Sequence, residues 1–346
     1  MRKTDLLPLV VGLPGTKLTD DDRALLERVQ PAGVILFSRN IETPDQVREL
    51  VGGLEDLEPR PFVTADLEGG MVNRLSALWG DLPPPAEAAT AGRRAVRALG
   101  EAAGSACRSL GIQLDLAPVV DLDCPDGCLG GQGRCFGSDP DRIIILAKIF
   151  NEGLGKWGVS GCSKHYPGLG PVPADTHEEL PVLDSSEEEL QLQLTVFEEL
   201  GSEFPAVMVA HVVAPGLGDA ERPASLSRTV VEQAINLSGS PVVLADDLEM
   251  GALGEWGDLP ERVISAVHAR NHGLLICNAC DRIDEIASHL RDSAETDPAV
   301  AARLLEMNAR MGTLARDLQQ KAAAVPTPDD TTVDQLWEQA RKEAAT

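Results

Sequence analysis

GVILFSRNIETPDQVRELVGGLEDLEPRPFVTAD, residues 33–66, contains one complete unit of the fold. An apolar run, GVILFS (33–38), gives way to a helical pattern that opens on Thr43-Pro44-Asp45, and a second apolar run, PFVTAD (61–66), follows. Thr43 supplies a side-chain oxygen to the free amides of a first helical turn, and Asp45 favours the helix dipole. Strand, helix and strand within roughly 30 residues is the repeating unit of a parallel sheet. The strands of such a sheet are buried on both faces and read as continuous apolar runs.

Outward from this stretch the same alternation covers the chain. Further apolar runs are LLPLVVGL (6–13), IQLDLAPVV (112–120), GVSGCS (158–163), AVMVAHVV (206–213), PVVLAD (241–246) and GLLICN (273–278), with helical segments between them such as the one entered at Thr19-Asp20-Asp21-Asp22. Eight strands of this kind match a closed (β/α)8 barrel of the TIM type; a doubly wound open sheet is the alternative. The polar residues favour closure. Asp66, Asp121, Lys164, His211 and Asp246 each fall at or just after the C-terminal end of a run, and in a barrel those ends converge on one mouth. Residues 1–300 are assigned to the barrel domain. Residues 301–346 change character, passing from a helical pattern through the break AAAVPTPDD to a charged helix. They are expected to form a C-terminal helical extension used for peripheral packing or an oligomer contact.

Composition narrows the function. The chain has 346 residues, 43% of them hydrophobic, and a formal charge of −25. It can bury a large core, and its charge argues against nucleic acid or an anionic membrane as partner. Aromatics at 3% are too few for a long polysaccharide groove, so a small substrate is expected. The opening MRKTDLLPLVVGLPG has two basic residues before an apolar run, but that run is short and contains prolines, and it reads as a first buried strand rather than a signal peptide. No stretch approaches the roughly 20 apolar residues of a membrane span. Seven cysteines, an odd number in a large chain, suit a reducing compartment. The expected location is the cytoplasm.

Four segments carry chemistry. Lys164-His165-Tyr166-Pro167-Gly168-Leu169-Gly170, followed by Ala174-Asp175-Thr176-His177, is a shaped loop after the fifth run, where Asp175 could fix the tautomer of His177. Asp66-Leu67-Glu68-Gly69-Gly70, with Arg74 beyond it, sets paired acids beside a sharp Gly-Gly turn. Ala245-Asp246-Asp247-Leu248 ends the seventh run, and its two aspartates point different ways, one to the mouth and one bracing the loop. A carboxylate that terminates a buried strand costs free energy unless it has a task or a partner. In Arg134-Cys135-Phe136-Gly137-Ser138-Asp139-Pro140, Arg134 could hold a ligand oxygen or act as a strut on Asp139. Each segment alone also admits a plain reading as a solvated or braced loop.

Together these segments resemble glycoside hydrolase family 3, in particular its bacterial cytoplasmic β-N-acetylglucosaminidases. The pattern is carried by GVILFSRN (33–40), DLEGGMVNR (66–74), LAPVVD (116–121), Arg134–Pro140, Lys164–Gly170 with Asp175–His177, Ala210–Val212 and Asp246–Met250, in order. The resemblance implies a retaining exo-β-N-acetylglucosaminidase, with Asp246 as nucleophile, His177 as general acid/base and Asp175 as its orienting partner. It further implies that Asp66, Arg74, Arg134, Lys164 and His165 bind the sugar. The implied substrate is a small carbohydrate with a terminal N-acetylglucosamine, from cell-wall muropeptides or chitin, and the protein is expected to be a monomer or homodimer. No cofactor and no metal are expected. The chain departs from the family at Met71, where Arg is usual, at Leu169, where His is usual, and at Ala245, where Ser is usual.

Two further readings remain open. One is a family 3 β-glucosidase, disfavoured because such enzymes usually take their acid from a separate domain. The other is a catalytically impaired sugar-binding protein, against which stand the retained Asp175, His177 and Asp246. Cys124, Cys128 and Cys135 are irregularly spaced for a metal site, and Cys277 and Cys280 form a CxxC after the eighth run; ordinary thiols are expected, with a metal site or a disulfide as the minor alternatives.

Overall fold

The computed structural model describes residues 6–124, 126–172 and 180–346. Eight parallel strands form a closed barrel: β1 (Leu7–Gly12), β2 (Pro31–Leu36), β3 (Phe62–Ala65), β4 (Leu114–Asp115), β5 (Ser160–Tyr166), β6 (Ala206–Val209), β7 (Val242–Ala245) and β8 (Gly273–Ile276). Closure is made by β1 and β8, with Leu9 opposite Leu274 and Val11 opposite Ile276. An open sheet would leave both of these strands as edges, so the doubly wound alternative falls. The strands lie within or beside the expected runs, and β4 differs most. Only two residues of 112–120 pair regularly, because Pro118 has no amide to give to a ladder. The run nevertheless stays hydrogen-bonded: the Leu116 amide donates to the Ala65 carbonyl and the Val120 amide to the Lys164 carbonyl, both within 2.9 Å.

The main helices are α1 (Asp20–Val29), α2 (Pro44–Glu55), α3 (Arg93–Ser109), α4 (Pro140–Gly155), α5 (Glu187–Leu200), α6 (Arg228–Ile235), α7 (Leu259–His268), α8 (Ile283–Thr296), α9 (Pro298–Ala323) and α10 (Asp330–Ala344). Their starts follow local chemistry. Thr19 and Asp22 form a reciprocal capping box on α1, and Thr43 accepts the Gln46 amide with Pro44 at the first position of α2. Ser186 with Glu189, and Asp258 with Glu261, repeat the box on α5 and α7. Asp139 caps α4 by accepting the Asp141 and Arg142 amides, so it is not the strut for Arg134 that its spacing allowed.

Period-two alternation decides what fills the barrel and what reaches its mouth. Val10, Phe62, Leu114, Cys162, Met208, Leu244 and Leu275 belong to one inner cluster. Phe62 is fully buried, and it has room because its partner in register is Gly33, where a Cβ would come within 2.6 Å of the ring. The floor of the barrel is closed by α9. Met311, Leu314, Ala315 and Leu318 of that helix pack into the same inner cluster. The tail is therefore not only peripheral. The outer role falls to α10, which lies on α3 and seats the fully buried Trp337 at 5.6 Å from Trp79, ring centre to ring centre. Among the described residues no helix is long and apolar enough to cross a membrane.

Candidate active site

On β3, β5 and β7 the inward parity delivers a polar residue to the mouth. Phe62 and Thr64 are followed by Asp66, Cys162 by Lys164, and Val242 and Leu244 by Asp246. All three line a cavity of about 210 Å³ at the C-terminal ends of the strands, together with Glu68, Arg74, Arg134, His165 and Asp247. Six of the eight residues singled out in the sequence thus meet in one place. The other two, Asp175 and His177, lie outside the described residues.

One side of the cavity is a dense ionic network. The Lys164 ammonium lies 2.8 Å from Asp66 Oδ1 and 2.6 Å from Glu68 Oε1. Arg134 forks onto Glu68 through Nε and Nη2, each at 2.8 Å, and Arg74 reaches Asp66 Oδ2 at 3.3 Å. Burial alone would push both carboxyls up. The Lys164 and arginine charges outweigh it, holding Glu68 at about 2 and Asp66 well below the usual carboxylate range. Burial likewise opposes the charge of Lys164, and Asp66 and Glu68 more than restore it, so its pKa is raised. Glu68 is the site residue that the sequence reading did not assign, although it lies two positions beyond Asp66. The chain reverses just after it, through Gly69 (φ 98°) and Gly70 (φ 58°), conformations that a side chain would oppose.

On the β7 side, the Asp246 amide donates to the Val209 carbonyl at 3.1 Å, and its Oδ1 accepts the Asp247 amide at 2.8 Å. Asp247 braces the loop: its Oδ1 accepts the amides of Glu249 and Cys277. Burial, with the Glu249 and Asp246 charges adding, pushes the Asp247 carboxyl up to about 7. Fully buried His211 supports the same turn, with Nε2 2.9 Å from the Asp247 carbonyl and Nδ1 2.6 Å from Ser225 Oγ. The Asp246 carboxylate is therefore oriented by backbone on a braced strand end.

Behind the Asp66–Glu68 segment lies Asp115, fully buried on the outer face of β4. Its Oδ1 accepts the Leu67 amide at 2.9 Å, and its Oδ2 has no partner among the described residues. Burial raises this carboxyl well above its usual range. At pH values between the unfolded and the folded pKa, folding then takes up a proton. Stability from this group is present below the unfolded pKa, near 4, and is lost as pH rises toward the folded value. Asp115→Asn should therefore raise Tm at pH 8 by about 2–4 °C. The gain should vanish near pH 4, and scanning calorimetry at the two pH values checks it. An equal gain at both would contradict a protonated Asp115.

The departures from the family pattern land differently. Met71 is 65% exposed at the tip of the turn after Gly70, whereas Leu169 is buried and lines the cavity. Ala245 is fully buried and out of phase with Asp246, so its side chain is not part of the cavity lining. None of the seven cysteines forms a disulfide among the described residues. Cys128 and Cys277 line the cavity.

Known proteins resemble this chain in sequence and in fold. The model of the glycosyl hydrolase family 3 N-terminal domain matches residues 5–307. A β-hexosaminidase of Alkalilimnicola ehrlichii is 33% identical over 315 residues, covering 88% of this chain and 89% of that one. A β-hexosaminidase of Pseudomonas aeruginosa is 34% identical over 277 residues, covering 78% and 82%. Among solved structures, a family 3 β-N-acetylglucosaminidase from Paenibacillus sp. superposes with a TM-score of 0.85 at 27% identity, over 97% of this chain and 67% of that one. NagZ from Neisseria gonorrhoeae in complex with N-trifluoroacetyl-D-glucosamine gives 0.74 at 26% identity, over 94% and 98%.

Proposed function

Since the chain belongs to glycosyl hydrolase family 3, we propose that it is a retaining exo-β-N-acetylglucosaminidase working through a glycosyl-aspartate at Asp246. It is a glycosidase of the β-hexosaminidase type. The observation that carries the finer reading is the division of the cavity. A strand-end carboxylate held by a backbone amide, Asp246, shares it with a fixed array of cations and carboxylates suited to sugar hydroxyls.

In the proposed reaction Asp246 attacks the anomeric carbon from below as His177 gives a proton to the departing oxygen. The C1–O bond to the leaving group breaks and a C1–O bond to Asp246 forms. Water, deprotonated by His177, then reverses the sequence and releases the sugar with its configuration retained. Asp175 orients His177. Asp66, Arg74, Arg134, Lys164 and His165 hold the terminal sugar. The Lys164 ammonium donates to Asp66 Oδ1 and is ion-paired with Glu68 Oε1, which fixes its charge at the cavity wall. The small cavity, floored by barrel core, suits one sugar at a chain end, from cell-wall or chitin fragments. Seven cysteines outside any disulfide among the described residues agree with a cytoplasmic setting, and the active unit is proposed to be a monomer or homodimer.

A buried site that hydrogen-bonds an acetamido group rejects sugars lacking it, because its polar partners are left unpaired. The expected kcat/KM on p-nitrophenyl β-N-acetylglucosaminide exceeds that on the β-glucoside by about 100-fold. Comparable values would sink this reading in favour of a β-glucosidase. Binding of N-acetylglucosamine without turnover of either substrate would leave a sugar-binding protein.

A further inference from the structure

Asp121 stands among the most completely satisfied carboxylates in the molecule, and the reaction above gives it no part. It is fully buried at the end of the irregular β4 run. Its Oδ2 accepts the His165 amide at 3.1 Å and lies 2.8 Å from His165 Nδ1, while its Oδ1 accepts the Leu169 amide at 2.6 Å. The aspartate is itself held in place. Buried Gln193 of α5 clamps the backbone on both sides, accepting the Leu122 amide at 2.7 Å and donating to the Val120 carbonyl at 3.2 Å. The Val119–Lys164 bridge ties the same run to β5.

An ionised carboxylate only accepts hydrogen bonds, so the nitrogen facing it must carry a hydrogen. In neutral imidazole a proton on Nδ1 leaves a lone pair on Nε2. His165 is 6% exposed and lines the cavity, and among the described residues no partner takes its Nε2. The other groups holding the ionic side of the site are cations that donate or carboxylates that are already engaged. His165 Nε2 would add a neutral acceptor beside these charged groups.

We propose that Asp121 is a positioning residue that locks His165 as the Nδ1–H tautomer, so that Nε2 accepts a hydrogen bond from a hydroxyl of the terminal sugar. The same carboxylate ties the Leu169 amide to His165, so the sugar-holding pair and the root of the following loop share one anchor. The tautomer assignment stands on geometry alone. The sugar contact rests on the N-acetylglucosaminidase reading.

The test uses the whole protein labelled with 15N-histidine, with the His165 signals identified by their loss in His165→Gln. Long-range 1H–15N spectra of the unliganded protein, taken where His165 is neutral, are expected to show protonated Nδ1 and bare Nε2. N-acetylglucosamine should shift Nε2 far more than Nδ1. In folded Asp121→Asn the tautomers should mix, and KM on the aryl N-acetylglucosaminide should rise about tenfold, the loss of roughly one hydrogen bond, with a smaller change in kcat. The double variant Asp121→Asn/His165→Gln should have nearly the KM of His165→Gln alone. An Nε2–H tautomer in the wild type overturns the role of Asp121 whatever the activity. Independent KM losses in the double variant overturn it as well. If Nδ1–H is present but the sugar leaves Nε2 unmoved while turnover proceeds, the acceptor role is wrong. If both sugar response and turnover are absent, the failure lies with the N-acetylglucosaminidase reading.

Discussion

Asp246→Asn should lower kcat/KM on an aryl β-N-acetylglucosaminide by about 10⁴-fold or more, the scale expected when a covalent nucleophile is lost. The position of Asp246 is set by strand parity, two residues beyond inward-facing Leu244, and its carboxylate is held by the Asp247 amide. Asparagine keeps that oxygen and the fold but has no charge with which to form the bond to carbon. In Asp246→Ala the vacated space admits azide, and the product should be the α-glycosyl azide. Asp247→Asn is the control. Its oxygen accepts backbone amides of Glu249 and Cys277, which asparagine can also do, so about tenfold or less should be lost. If Asp247→Asn gives the larger loss and Asp247→Ala the azide rescue, the nucleophile is misassigned by one residue.

The second large effect is on stability. Lys164→Met keeps an unbranched stem but leaves Asp66 and Glu68, both in the buried ionic network, without their shared ammonium. Removing one member of a buried ion pair costs about 3–5 kcal/mol at neutral pH. The pH dependence has a definite sign. Both carboxyls are held below their unfolded pKa values of about 4, so their contribution is full above pH 5 and is lost as pH falls toward 2. Without Lys164 the carboxyls protonate sooner. The gap between wild type and variant, measured by urea unfolding, should be constant from pH 6 to 8 and narrow at pH 3. A gap as wide at pH 3 as at pH 7 would mean that the lost stability came from packing of the lysine stem rather than from charge.

The barrel and most of its mouth were legible because both follow from short-range rules. Continuous apolar runs and capped helices gave the strand and helix order. Polar residues at the ends of runs 3, 5 and 7 are in phase with the inner positions before them, which is why Asp66, Lys164 and Asp246 meet. What stayed hidden depends on partners distant in sequence. Arg134 could be assigned to Asp139, five residues away, because nothing local reveals that Glu68, 66 residues away, receives its fork. Asp115 reads as an ordinary strand residue, and only the third dimension puts it behind Leu67 without charge compensation. The tail shows the same limit. The sequence marks 301–346 as helical, but not that one face of α9 completes a core whose other members come from all eight strands.

That floor helix also dictates an order of events during synthesis. Strand β1 acquires its second neighbour only when Leu274–Ile276 have been made, and Met311–Leu318 emerge later still. Until then the growing chain is an open parallel sheet with two unpaired edges and an uncovered apolar interior, the kind of intermediate that associates with itself. With a ribosome adding about 5–20 residues per second, the stretch from Ile276 to Leu318 amounts to a few seconds of exposure in each round of translation. A cell making this enzyme thus has most need of chaperones while residues 276–318 are being made, and slow decoding of those codons would cost soluble yield more than slow decoding of residues 33–66.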